Sequence, residues 1–151
     1  MGMTRPIYET QTDIQKERAV ADWMEARGNA TYTKTKSMYP IDFAIECEDS
    51  IIGLAEIKCR NYTMQTLDGW GGFFISAKKW ADARLLTGVL GISFSVVVAD
   101  SAGDVWQHVP YGEWEHDGLA MKGTTRRNDP NDMEPCVLLR ACRFSKLGTM
   151  P

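Results

Sequence analysis

Glu56 and Lys58 stand two residues apart in a run, 51–60, that reads as a β-strand, so both side chains leave the same side of it. They share that face with Ile52 and Leu54. Two charged groups at the end of an apolar strand face need a chemical reason. Asp42 lies on the preceding run, with thirteen residues, 43 to 55, between it and Glu56. If the two runs pair as a hairpin, Asp42 comes opposite the end of the Glu56 strand. Carboxylates held close together repel, and a divalent cation is the usual remedy. Oxygen ligands without His or Cys select a hard ion, Mg²⁺ or Mn²⁺. An ordinary edge-strand ion pair between Glu56 and Lys58 would contribute only ~0–1 kcal/mol. It would leave Asp42, and the acid on the first helix, without a role.

That further acid is Glu17. A helix is expected over 9–27, with Ile14, Ala21 and Met24 on one stripe and Val20 beside them. Glu17 falls on this stripe, three residues from Ile14 and four from Ala21, which makes it a site candidate. Gly28-Asn29 ends the helix. An extended Thr- and Tyr-rich segment, 30–38, is broken by Tyr39-Pro40. Ile41, Phe43, Ile45 and Cys47 then alternate with Asp42, Ala44 and Glu46, as a strand requires, and Glu48-Asp49-Ser50 turns the chain into the Glu56 strand. Residues 61 to 72 read as a loop ending in Gly69-Trp70-Gly71-Gly72, and Ser76 as the N-cap of a second helix over 77–87. The apolar run 92–99 is a strand buried on both faces. Residues 105–109 pair back on it, 123–135 read as a polar loop, and 136–144 as a last edge strand. The result is an α/β (α+β) sandwich, a mixed central sheet flanked by helices.

Weaker signals surround the acids. Lys78 and Lys79 follow the cap residue Ser76, where a helix N-terminus and a lysine attract phosphate, and Lys79 is the better candidate. Arg60 shares the face of Lys58, where contact with a substrate backbone is expected. Trp70 could stack on a base, although packing on its own domain is the commoner role. Arg126-Arg127 could grip phosphate from a loop. His108 and His116 sit in different elements without a metal-site pattern and read as surface histidines. With Lys58 the only cation assigned to the acids, Glu17, Asp42 and Glu56 should leave the metal-free site strained by repulsion.

Pro40-Ile41-Asp42, then Glu56-Ile57-Lys58, preceded by a helix bearing Glu17, resembles the PD-(D/E)xK nuclease superfamily. The resemblance covers about 9–109 and extends to small bacteriophage-encoded members, through a Gly-rich stretch leading into Ser76-Ala77-Lys78-Lys79-Trp80 and a tail like Thr125-Arg126-Arg127-Asn128-Asp129-Pro130 and Asp132-Met133-Glu134-Pro135. One residue, Ile41, separates Pro40 from Asp42, one more than the strict form. The resemblance implies a restriction-endonuclease-like core of order αβββαβ, here with extra C-terminal strands. It implies Asp42 and Glu56 as metal ligands beside the Ile57 carbonyl, with Glu17 holding the ion directly or through water. Lys58 would orient or deprotonate the attacking water. Lys79, Arg60 and Ser76 would bind substrate. The expected activity is hydrolysis of DNA phosphodiesters through a Mg²⁺-bound water. A catalytically silent nuclease-like domain that binds nucleic acid or a protein is the alternative.

Composition fits that class. Hydrophobic residues make up 44%, enough for a core, and the 151 residues suit one domain, 1–151. A net charge of −3 argues against a non-specific DNA coater, which would be basic, but less against an enzyme that needs carboxylates. The four cysteines form no C-x-x-C pair, so a structural zinc site is not expected and reduced cytosolic thiols are. No apolar run approaches the ~20 residues that span a membrane, and the first residues carry no signal-peptide pattern. The expected setting is the cytoplasm, that of the host if phage-encoded. DNA is the expected partner, with no small-molecule cofactor; a homodimer is one option, because small nucleases that cut both strands often pair.

Overall fold

The computed structural model describes residues 11–36, 38–123 and 133–151. Its first element is α1, Gln11–Arg27. Glu17, Val20 and Ala21 are the residues it buries, one turn apart on one stripe, whereas Ile14 and Met24 are only partly covered. The two residues that the sequence adds at the start of this helix, Glu9 and Thr10, lie outside the described residues.

Three strands follow: β1 (Thr31–Lys34), β2 (Phe43–Cys47) and β3 (Ser50–Cys59). β2 and β3 form the expected antiparallel hairpin, with Phe43 opposite Ala55 and a register shift between Ile45 and Glu46. Ile52 does not join the buried part of the β3 face; it is exposed near the hairpin tip. The chain then crosses over through α2 (Met64–Gly69), β4 (Phe73–Ser76) and α3 (Ala77–Leu90) to β5 (Ser93–Ala99), which pairs parallel to β3. β6 (Asp104–His108) returns antiparallel to β5. After β7 (Leu119–Gly123), β8 (Met133–Leu139) and a single 3-10 turn at Ala141–Arg143, β9 (Ser145–Thr149) closes the main sheet.

The main sheet is mixed and six-stranded, in the order β1-β2-β3-β5-β6-β9, and a three-stranded sheet has the order β4-β8-β7. One apolar cluster joins Val20 and Ala21 of α1 to Phe43, Ala55, Ile57 and Val97. Another joins Trp80 and Ala83 of α3 to Leu54, Phe73, Ile75, Val96 and Val98. A mixed sheet between helical layers is the restriction-endonuclease-like arrangement, and β3 and β5 lie at its centre.

Three sequence expectations need correction. The segment 61 to 72 is not all loop: the Thr63 hydroxyl accepts from the Thr66 amide at 3.1 Å, and Met64 and Leu67 bury one side of the short helix α2. Six residues are too few for a 3.6-residue period to show. The C-terminal strand 136–144 is not an edge: β8 begins at Met133 and is the middle strand of the small sheet, so Gly123 and Met133–Pro135 belong to strands rather than to a loop. The partner that covers it, β4, is four residues long and runs straight into α3, so the sequence shows only the helix start. The main sheet has its edges at β1 and at β9, and the Lys and Gly residues of β9 mask a strand pattern. Gly72 allows β4 to start where it does: its φ is +121°, and a Cβ there would stand 2.4 Å from the Leu139 carbonyl oxygen.

Candidate active site

Asp42 is set by what precedes it. Ile41 is fully buried in the α3-side core. The Thr35 hydroxyl donates to the carbonyls of Ile41 (2.6 Å) and Asp42 (3.0 Å), and the Thr35 amide donates to the Asp42 carbonyl at 2.9 Å. Continuing the Phe43–Ala55 register by one residue brings Asp42 beside Glu56. Glu56 is only 1% exposed, in the middle of a strand flanked on both sides by β2 and β5. Ile57 between Glu56 and Lys58 turns its side chain into the opposite core, beneath α1.

Three acids and three lysines meet there. The Lys58 ammonium lies 3.3 Å from Asp42, 3.5 Å from Glu56 and 3.7 Å from Glu17. Lys79, from the first turn of α3, lies 2.8 Å from Glu56 and 3.3 Å from Asp42. Lys34, at the end of β1, stands 4.0 Å from both Glu17 and Asp42. The expectation that Lys58 alone faces three acids is therefore wrong. Lys34 gave no signal in the sequence, because only the pairing of β1 with β2, Lys34 opposite Phe43, carries it to the acids. Glu17 touches the other two acids' surroundings through Lys58 and Lys34, and among the described residues no three His, Cys, Asp or Glu side chains group as a ready metal cage.

The lysines set the charge states. Burial works against ionisation of Asp42, but Lys58 and Lys79 outweigh it and bring the carboxyl down to about 2. Burial dominates at Glu56 and pushes its carboxyl up, with Lys58 and Lys79 opposing. Lys58 has the reverse balance. Burial favours the neutral amine, yet Glu56, Asp42 and Glu17 together raise its affinity for the proton above the usual lysine value. One oxygen, Glu56 Oε1, is buried and accepts no hydrogen bond among the described residues.

Glu56 lines a cleft of about 210 Å³. One side carries Glu56, Lys58, Arg60 and Lys79, and the small sheet contributes Lys122 and Glu134. Lys122 gave no sequence signal and Glu134 figured only in the tail that resembles phage members, because the strand order that brings both here is non-local. The Arg60 guanidinium packs over Phe73 and Phe74, 4.9 and 5.3 Å from their ring centroids. It also donates to the neighbouring Cys59 carbonyl at 3.5 Å. Lys78 turns away to Asp82 at 3.0 Å and is largely exposed. Trp70 packs edge-on against Tyr62 at 4.8 Å and remains 57% exposed. His108 is not a surface group but half-buried, stacked against Trp80. Arg126-Arg127 lie outside the described residues.

Ser76 caps α3: its hydroxyl accepts from the Lys79 amide at 3.4 Å. Ser76→Ala is expected to cost about 1 kcal/mol. In thermal unfolding that is a loss of roughly 2–4 °C for a chain of this size. An unchanged melting temperature would mean that the cap contributes nothing.

No curated protein and no solved structure matches the chain. A family model does, over residues 3–147, and it is described as "Phage putative PDDEXK endonuclease". The match takes in both halves of the acidic motif and the helices and strands that carry them, and the chain belongs to this family of phage PDDEXK endonucleases.

Proposed function

We propose that the protein is a Mg²⁺- or Mn²⁺-dependent endonuclease that hydrolyses DNA phosphodiester bonds, with one nuclease domain over 1–151. The observation that carries this reading is the pair of partly buried Asp42 and fully buried Glu56, held together by two shared lysines, with one Glu56 oxygen left without a hydrogen bond among the described residues. A buried carboxylate oxygen without a donor is costly. An all-oxygen donor set of this kind suits a hard divalent ion.

Asp42 and Glu56 would hold the ion, with the Ile57 carbonyl alongside and Glu17 farther out. Bound there, the ion would polarise the phosphoryl oxygen and supply a nucleophile at neutral pH. The chain's own part falls first to Lys58. Its side-chain nitrogen lies within 3.7 Å of all three acids, where it would orient the attacking water or take its proton and would offset charge on the phosphate. Ser76 would act indirectly, by fixing the first turn of α3.

Arg60 is the proposed phosphate contact. Its guanidinium is held in place by two aromatic rings and lines the cleft beside Glu56. Arg60→Met keeps the packing and removes the charge. It is expected to weaken DNA binding and to reduce the slope of log affinity against log salt by roughly 0.7–0.9, the value for one lost phosphate contact. Fluorescence anisotropy across a salt series measures both, and an unchanged slope would remove Arg60 from the interface. The test of the whole reading is plasmid cleavage in Mg²⁺, Mn²⁺ and EDTA. Cleavage that EDTA abolishes supports it, and no cleavage with either ion overturns it.

A further inference from the structure

Lys79 occupies an unusual position for a substrate-binding lysine. Its ammonium does not face outward but bridges Glu56 at 2.8 Å and Asp42 at 3.3 Å, the two carboxylates assigned above to the metal. An ammonium and a divalent ion cannot both be partners of the same pair of oxygens at contact distance, because like charges repel strongly where water is partly excluded. One of the lysines must give way when an ion binds. Lys58 is tied to Glu17 as well as to Asp42 and Glu56 and so keeps a carboxylate partner. Lys79 contacts only the two ligand acids among the described residues. Its backbone is fixed by the Ser76 cap, so the side chain alone can move. The space next to it is the cleft lined by Arg60, Phe74 and Lys122.

We propose that Lys79 is a placeholder for the divalent ion, sitting between Asp42 and Glu56 until the ion displaces its ammonium into the cleft, where it takes a substrate phosphate. The inference rests on the nuclease reading and adds a coupling to it. Loading of the ion and capture of the phosphate become one event: the ion releases the cation that the phosphate needs. The metal-free site stays neutralised and folded. By linkage, ion and DNA then favour each other's binding by the same factor.

Two titrations test this. Ca²⁺ binding is measured by calorimetry on wild type, Lys79→Met and Asp42→Asn. Binding of a fluorescent DNA duplex is measured with and without Ca²⁺. Lys79→Met is expected to bind Ca²⁺ about tenfold more tightly than wild type, within the ~5–150-fold range usual for coupled sites. The same variant is expected to bind DNA more weakly and to lose the strengthening of DNA binding by Ca²⁺ that wild type shows. A lysine that merely braces the fold would weaken both. Lys79→Gln serves if the methionine variant does not fold. Equal or weaker Ca²⁺ binding by the Lys79 variants, with wild-type binding that Asp42→Asn abolishes, overturns the placeholder and leaves the nuclease reading standing. Absence of Ca²⁺ binding in every form overturns both.

Discussion

Glu56→Gln and Lys58→Ala are each expected to lower plasmid cleavage in saturating Mg²⁺ by about 10³-fold or more, with far-ultraviolet circular dichroism remaining that of wild type. The size follows from what each residue would do. A positioned charged or proton-handling group typically contributes 10²–10⁴-fold, and loss of a metal ligand can remove the ion's whole contribution. Glu56→Gln keeps the shape of a side chain that is 1% exposed, so the change is chiefly one of charge. It leaves Lys79 and Lys58 facing Asp42 without their second acid. Lys58→Ala removes a cation that contacts all three acids. A Glu56→Gln enzyme with the wild-type rate would remove the proposed site.

The Asp42, Glu56 and Lys58 group was legible in the sequence because it depends on short-range rules. A two-residue spacing on a strand fixes a common face, and a tight hairpin fixes the cross-strand neighbour. Glu17 was legible from helical periodicity, since an acid on an apolar stripe is rare. Other groups depend on contacts between segments distant in the chain. Lys34 lies on a four-residue strand with a single buried position, Tyr32, and nothing in Thr31–Lys34 points to Asp42. Lys122 and Glu134 reach the cleft only because β8 pairs with both β4 and β7. The mixed sheet was readable from the hairpin and the buried run at Val96–Val98; the small sheet was not, because β4 is a short strand continuous with a helix.

The balance of charge changes what the metal-free protein should do. Three uncompensated acids would make the site a source of strain, and removing one acid would then stabilise the fold. Lys34 and Lys79 alter that sum: the described cluster holds three carboxylates and three ammonium groups in contact. A neutral, mutually hydrogen-bonded cluster can be buried at much lower cost than an unpaired charge. Its members are then interdependent, and deleting any one leaves a partner uncompensated.

Asp42→Asn is therefore expected to melt below wild type in EDTA, not above it. The Asp42 carboxyl is held at about 2, against an ordinary 3.8, so the folded state favours its ionised form. A depressed carboxylate stabilises the fold fully above its ordinary value and loses that contribution only as the pH falls from near 4 toward 2. At pH 7 the contribution is wholly present, roughly 2 kcal/mol for a shift of this size. The asparagine variant forfeits it and leaves Lys58 and Lys79 short of an acid, which for a chain of this length lowers the melting temperature by roughly 4–8 °C. Added Ca²⁺ separates repulsion from metal binding. At about ten times its dissociation constant an ion that binds only the folded state adds ~1.4 kcal/mol. Wild type should thus gain roughly 3–5 °C over its EDTA value, and Asp42→Asn should gain nothing. The measurement is thermal unfolding of both proteins at pH 7, in EDTA and in Ca²⁺. A variant that melts higher than wild type in EDTA would mean that the acids still repel and that the lysines do not balance them. A variant that keeps the full Ca²⁺ gain would take Asp42 out of the metal site, since an ion that needs this carboxylate cannot bind equally well to its amide.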